Sequence, residues 1–227
     1  MSKGIFITAT GTDVGKTYIS SLIISKLRKA GINCGYYKAA LSGAEEINGK
    51  LIPGDASYVY EKANIPGDPN KSVSYIFEEA VSPHLAARLN REEVRLNKIK
   101  ADFNRIKSEC DYVVVEGSGG IICPLYKGKK TIMLTDVIKE FNLSTIVVAD
   151  SGLGSINATL LTMEYIKSQN IKVNALVLNR YNDDDIIHRD NKKYFKDTLS
   201  IPIYICKDNH GNLNIDSEKI MDLCTEI

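Results

Sequence analysis

The stretch ITATGTDVGKTY, residues 7–18, ends in Gly15-Lys16-Thr17. An amine and a hydroxyl side by side after a run of small residues suit the phosphates of a nucleotide. Small residues let backbone N–H groups converge on anionic oxygens, the lysine reaches the terminal phosphates, and the threonine hydroxyl reaches Mg²⁺. The ordinary spacing of such a loop puts a glycine five positions before Gly15, where this chain has Thr10. The match is partial, so its context has to carry the reading. Asp13 is a second oddity, because a carboxylate repels phosphate unless a cation stands between them.

Three more residues have chemistry to offer. Glu116 closes the run YVVVE and precedes Gly117-Ser118-Gly119-Gly120. A glutamate after apolar residues needs a partner, and Mg²⁺ takes hard oxygen ligands, often one or two carboxylates beside phosphate. Asp55, in Pro53-Gly54-Asp55-Ala56, is on its own an N-cap for a helix-like segment. Lys38 ends CGYYK. It fits a surface lysine and, equally, a cation for an anionic substrate or a transferring phosphoryl group.

Positioning these groups takes strands and helices in alternation. Lys3–Thr8, Cys34–Lys38, Tyr112–Glu116, Thr145–Asp150 and Val173–Asn179 read as strands. Lys16–Ala30 places Ile19, Leu22, Ile23 and Leu27 at helical spacing, and Gly31 ends that helix. Ser155–Ser168 reads as another helix. The pattern predicts a three-layer α/β fold, a mostly parallel central sheet with helices on both faces. Unbroken runs such as VVV fit strands buried on both sides. Ligands in such folds bind beyond the carboxyl ends of the strands, which directs attention past Thr8, Lys38, Glu116, Asp150 and Asn179. Leu41–Glu79 reads as irregular, with Pro-Gly and Asp-Pro turn signals. With no linker or repeat, residues 1–227 read as one domain.

Hydrophobic residues make up 44% and charged residues 25%, and the net charge is +1. No global field favours nucleic acid. Lys127–Lys130 reads as a solvated turn and Asp183–Asp185 as a polar loop or helix start. The five cysteines are widely spaced without a CxxC, which argues against a zinc or disulfide framework and for reduced thiols. His84, His188 and His210 are scattered. No run has the length of a signal core or a membrane span, so the expected setting is the cytoplasm, away from membranes.

In order along the chain, GTDVGKT, YKAALSG, GDAS, EEAVSPH, VVEGSGG, DSGLGSINATLLT and VLNR resemble the dethiobiotin synthetases, from about Ile5 to Tyr194. The resemblance implies a homodimeric P-loop NTPase-like enzyme. Such an enzyme uses ATP, CO₂ and Mg²⁺ to close a ureido ring on diaminopelargonate, through a carbamate and a carbamic–phosphoric anhydride. It implies nucleotide binding by Asp13, Val14, Gly15, Lys16, Thr17 and Tyr18, with Gly117, Ser118, Gly119, Asn179 and Arg180 around them. Thr17, Asp55 and Glu116 would hold Mg²⁺, and Lys16 and Lys38 would be catalytic. Thr12 and Ser42 would contact the carbamate or diamine. Gly152, Leu153, Gly154, Ser155, Ile156, Asn157 and Tyr194 would bind the carboxylate of substrate held by the partner subunit.

The family loop is one residue longer than the ordinary pattern. Its first glycine falls at Ala9, and Asp13 matches an acidic position. Other departures are Ala39 where the family has proline and Arg180 where it often has aspartate. Ile201–Asn212 has no clear match to the family's second base-contact loop, which leaves the base open between ATP and another triphosphate such as CTP. The rival reading is a nucleotide-switched ATPase of the ParA/MinD kind. The signature lysine of that class falls at Gly11 here.

Overall fold

The strand KGIFITA shows why the fold has three layers. In β1 (Lys3–Ala9), Ile5, Ile7 and Ala9 belong to one buried cluster and Phe6 to the other, and all four are fully buried. Alternate side chains leave a strand on opposite faces, so both faces of β1 need a covering layer. The computed structural model describes residues 2–207 and 213–227.

After β1 come α1 (Lys16–Lys29), β2 (Cys34–Ser42), the hairpin β3 (Glu45–Ile47) and β4 (Lys50–Ile52), α2 (Gly54–Ala63), β5 (Val73–Phe77), α3 (Pro83–Leu89), α4 (Leu96–Ser108) and β6 (Tyr112–Glu116). There follow β7 (Pro124–Lys127), β8 (Thr131–Met133), α5 (Leu134–Glu140), β9 (Thr145–Asp150), α6 (Ser155–Ser168), β10 (Val173–Tyr181), α7 (Ile186–Thr198), β11 (Ile203–Lys207), α8 (Ser217–Leu223) and β12 (Thr225–Glu226). The main sheet runs β11-β10-β9-β1-β6-β2-β5 and is parallel throughout, with β12 antiparallel beside the start of β1. The expected mostly parallel sheet between helical layers is what the structure has. Among the described residues, no helix is long and apolar enough to cross a membrane.

One core lies under α1, α2 and α8, and includes Ile19, Ile23, Ile24, Leu27, Ala56, Val59 and Ile220. The other lies under α3 to α7, where Phe103 and Phe141 stack at 3.8 Å. Burying each large aliphatic side chain contributes roughly 1.5–3 kcal/mol, so α1 is pinned by its inner face. Gly31 (φ 82°) ends α1 with Gly31 N–H on the Arg28 carbonyl and Ile32 N–H on that of Leu27, as a left-handed helix stop requires.

The sequence reading differs from the structure in extent. Strand β2 continues to Ser42 and β10 to Tyr181. The segment expected to be irregular, Leu41–Glu79, holds β3, β4, α2 and the edge strand β5. Its elements are short and bracketed by proline and glycine, so the punctuation hid the periodicity. Lys127–Lys130 is the β7–β8 turn, and Asp185 caps α7 through its side chain. Of Ile201–Asn212, residues 208–212, and with them His210, lie outside the described residues.

Candidate active site

Because the sheet is parallel, β1, β2, β6 and β10 end at one edge, and a cleft of about 620 Å³ opens there. Thr12, Asp13, Gly15, Lys16, Thr17, Tyr18, Lys38, Ser42, Asp55, Glu116, Ser118, Gly119 and Arg180 line it. These come from five separated stretches of chain.

Register brings the charges together. Lys38 of β2 pairs with Glu116 of β6, and Glu116 in turn pairs with Ile7 of β1. Lys38 Nζ lies 2.8 Å from Glu116 Oε1 and 2.5 Å from Asp55 Oδ2. Lys38 is only 4% exposed, which rules out the surface-lysine reading. Asp55 is not an N-cap either. Pro53 holds that place, and the Asp55 carboxylate turns from the first turn of α2 onto Lys38.

Two more hydroxyls meet Glu116. Thr17 Oγ1 donates to Oε1 at 2.8 Å, and Tyr36 OH donates to Oε2 at 3.1 Å. Burial opposes the charge on Lys38, but Glu116 and Asp55 outweigh it and raise its pKa above the usual lysine range. Burial likewise opposes the charge on Asp55, and Lys38 outweighs it and lowers that pKa. Lys16 is also buried, and its Nζ donates to the Gly11 carbonyl at 3.1 Å. Burial and then the neighbouring Lys38 lower its pKa. Two buried ammonium groups in one cleft favour an incoming anion.

The loop itself is built around Gly15. Its φ is 95°, and a Cβ there would stand 2.1 Å from Asn179 Nδ2. Asn179 uses that nitrogen to donate to the Val14 carbonyl at 2.9 Å. Ser118 Oγ donates to the Ala40 carbonyl and ties the glycine-rich turn to β2. Gly117 packs against Phe6 and Leu134, where a side chain would clash.

Thr17, Asp55 and Glu116 together present one hydroxyl and two carboxylates around a single ammonium position. That donor set suits Mg²⁺ completing its shell with phosphate and water. Among the described residues, no group of three or more His, Cys, Asp or Glu could hold a metal. Burial pushes the Cys123 thiol up to about 11, so it stays protonated. His84 is absent from the cleft lining.

Gly152–Asn157 and Tyr194 stand apart from this cleft. They occupy the start of α6 and the outer side of α7, with Leu153 92% and Tyr194 41% exposed. Leu153, Ile156, Leu160 and Leu161 border a shallow apolar groove there. Sequence reasoning missed Tyr36, and it marked Asp150 as a strand end without giving it a role. Tyr36 lies two positions before Lys38, hence on the same face of β2. Asp150 ends β9 and binds Arg180 at 2.9 Å.

A protein-family profile described as an AAA domain matches residues 3–207. The chain is 63% identical to the ATP-dependent dethiobiotin synthetase BioD of Clostridium botulinum strain 657, over 100% of both chains. It is 60% identical to the protein of the same name from strain Okra, again over both whole chains. The chain belongs to the dethiobiotin synthetase family. A plasmid partition protein from Borrelia burgdorferi shares the fold with a TM-score of 0.60, at 13% identity, covering 98% of this chain and 96% of that one. At that identity the likeness is one of architecture alone. The dethiobiotin synthetase resemblance carried by the loop, the VVEGSGG turn and the α6 start therefore extends over the whole chain.

Proposed function

We propose that the protein is an ATP-dependent cyclo-ligase, a single domain over residues 1–227, which converts diaminopelargonate, CO₂ and ATP to dethiobiotin, ADP and phosphate. Full-length identity of 63% to a protein named for that activity supports the reading most strongly. The chemistry of the cleft agrees with it.

In this reading one amine of the diamine takes up CO₂ as a carbamate. The carbamate oxygen attacks the γ-phosphorus, ADP leaves, and a carbamic–phosphoric anhydride remains. The second amine attacks the anhydride carbon, the ring closes, and phosphate departs. Lys16 reaches the phosphates from the start of α1, whose N-terminus favours anions. Lys38 faces the carbamate and the transferring phosphoryl group, where charge spreads in the transition state. Thr12 and Ser42 border the diamine, and the Asp13 carboxylate faces an ammonium group. Thr17, Asp55 and Glu116 would hold Mg²⁺, which would supply positive charge against the phosphates. Asn179 and Arg180 border the base, with ATP the expected triphosphate.

We assign the groove at the α6 start to a second copy of the chain. The exposed Leu153 and Leu161 support a homodimer contact. The turn Gly152–Asn157 and Tyr194 would then receive the carboxylate of the diamine bound by the other subunit. Cysteines that are free among the described residues suit a reducing cytoplasm.

The test is ADP release with Mg·ATP and bicarbonate, with and without the diamine, with the product weighed by mass spectrometry. The expected product is heavier than the diamine by one CO₂ less one water. Hydrolysis indifferent to the diamine would return a ParA-like switch to first place. Silence with ATP is followed by the same assay with CTP.

A further inference from the structure

Glu116 divides its two oxygens between different tasks. Oε1 faces the cleft, where Thr17 and Lys38 reach it at 2.8 Å each. Oε2 points back into the protein and receives the hydroxyl of Tyr36 at 3.1 Å. Tyr36 is 0% exposed, and its ring belongs to the core under α1 and α2. A phenylalanine would fill the same space. The hydroxyl adds one thing, a donor for Glu116.

That donor matters because the last torsion of a glutamate is broad and nearly two-fold. Packing alone leaves the carboxylate free to turn about it. A hydrogen bond from behind fixes the plane, as outer-shell partners do for metal-binding carboxylates. Tyr36 is itself rigid, a core residue on β2 beside the register pair Lys38 and Glu116.

We propose that Tyr36 is a positioning residue for the nucleotide's metal ion, holding the Glu116 carboxylate so that Oε1 is presented to the cleft. The proposal rests on the reading of Glu116 as a Mg²⁺ ligand. Its test needs neither diamine nor CO₂, so its outcome is independent of the ligase chemistry.

ADP affinity is measured by calorimetry in Mg²⁺ and in EDTA, for the native chain and for Tyr36→Phe. The ratio of the two affinities isolates the metal. The expected result is a ratio reduced about tenfold in Tyr36→Phe, with the affinity in EDTA unchanged. In a Glu116→Gln background the same substitution should change the ratio no further. A native ratio in Tyr36→Phe, or an equal loss with and without Mg²⁺, would overturn the proposal. If Tyr36→Phe fails to fold, a fluorotyrosine placed at position 36 alters the donor and keeps the volume. A ratio unmoved by that change also overturns it.

Discussion

The guanidinium of Arg180 donates to the main-chain oxygen of Asp13 at 2.6 Å, and both residues hold left-handed backbone, with φ of 54° and 59°. Non-glycine residues there cost on the order of 1 kcal/mol or more each. The surroundings impose the conformation. Arg180 is also held by Asp150 at 2.9 Å, and Asp150 accepts the Gly152 N–H at 3.0 Å. One guanidinium thus spans the phosphate loop and the turn that leads into α6.

Arg180→Ala should therefore disturb the loop more than the fold. Its ion pair is half exposed, so the loss of stability should stay under about 1 kcal/mol. The KM for ATP should rise about fivefold, equivalent to about 1 kcal/mol of binding. Steady-state kinetics beside a thermal melt separates the two. An unchanged KM would make Arg180 a surface residue.

Lys38→Ala should abolish turnover while ATP still binds, because the ammonium faces transition-state charge. It also strips Glu116, 1% exposed, of its counter-ion. Removing one partner of a buried pair typically costs about 3–5 kcal/mol. The linked pH dependence has a definite sign. The raised Lys38 pKa contributes stability below the unfolded value of 10.5, lost as pH rises through the raised value. The lowered Asp55 pKa contributes stability above 3.8, lost as pH falls through the lowered value. Both contributions should vanish from the pH–stability profile of Lys38→Ala. Full activity in that variant would refute the assigned chemistry.

Nucleotide binding should take up a proton on the alkaline side. Burial and Lys38 lower the pKa of Lys16 in the free cleft, and a bound phosphate favours its charged form. Below the lowered value Lys16 is charged before and after binding, so affinity is flat. Above it, affinity falls as pH rises, by at most about tenfold per unit. Calorimetry in buffers of different ionisation enthalpy, on both sides of the lowered value, reads the uptake directly.

Gly15→Ala combines two penalties, the backbone at φ 95° and a Cβ placed 2.1 Å from Asn179 Nδ2. The expected loss is about 2 kcal/mol of stability together with ATP binding. Asn179→Ala in the same chain removes the clash but not the backbone cost, so it should restore roughly half of the stability. Complete rescue would mean that the backbone at residue 15 is unstrained.

Glu116, Asp150 and Asn179 were legible because long β-branched runs deliver them to strand ends. Tyr112–Glu116 and Thr145–Asp150 have the bounds that the sequence predicts. The Lys16–Thr17 loop was legible from its strand–loop–helix setting despite Thr10. Lys38 stayed ambiguous, because only register against β6 reveals that it is buried against Glu116. Asp55 read as a cap, because no local pattern says which way a carboxylate turns in the first turn of a helix. Nothing local in the sequence sets Tyr36 apart, since its meaning depends on an oxygen 80 positions away in sequence.

The central place of β1 has a consequence for how the molecule comes into being. Lys3 pairs with Tyr112 and Phe6 with Thr145, so the strand that carries the phosphate loop waits for partners made more than a hundred residues later. Chain closure over such spans slows folding, and unpaired apolar strands are liable to aggregate. During synthesis KGIFITA is a β-prone segment that needs shelter until β6 and β9 emerge. The nucleotide loop, first along the chain, is thus among the last parts to take its working shape.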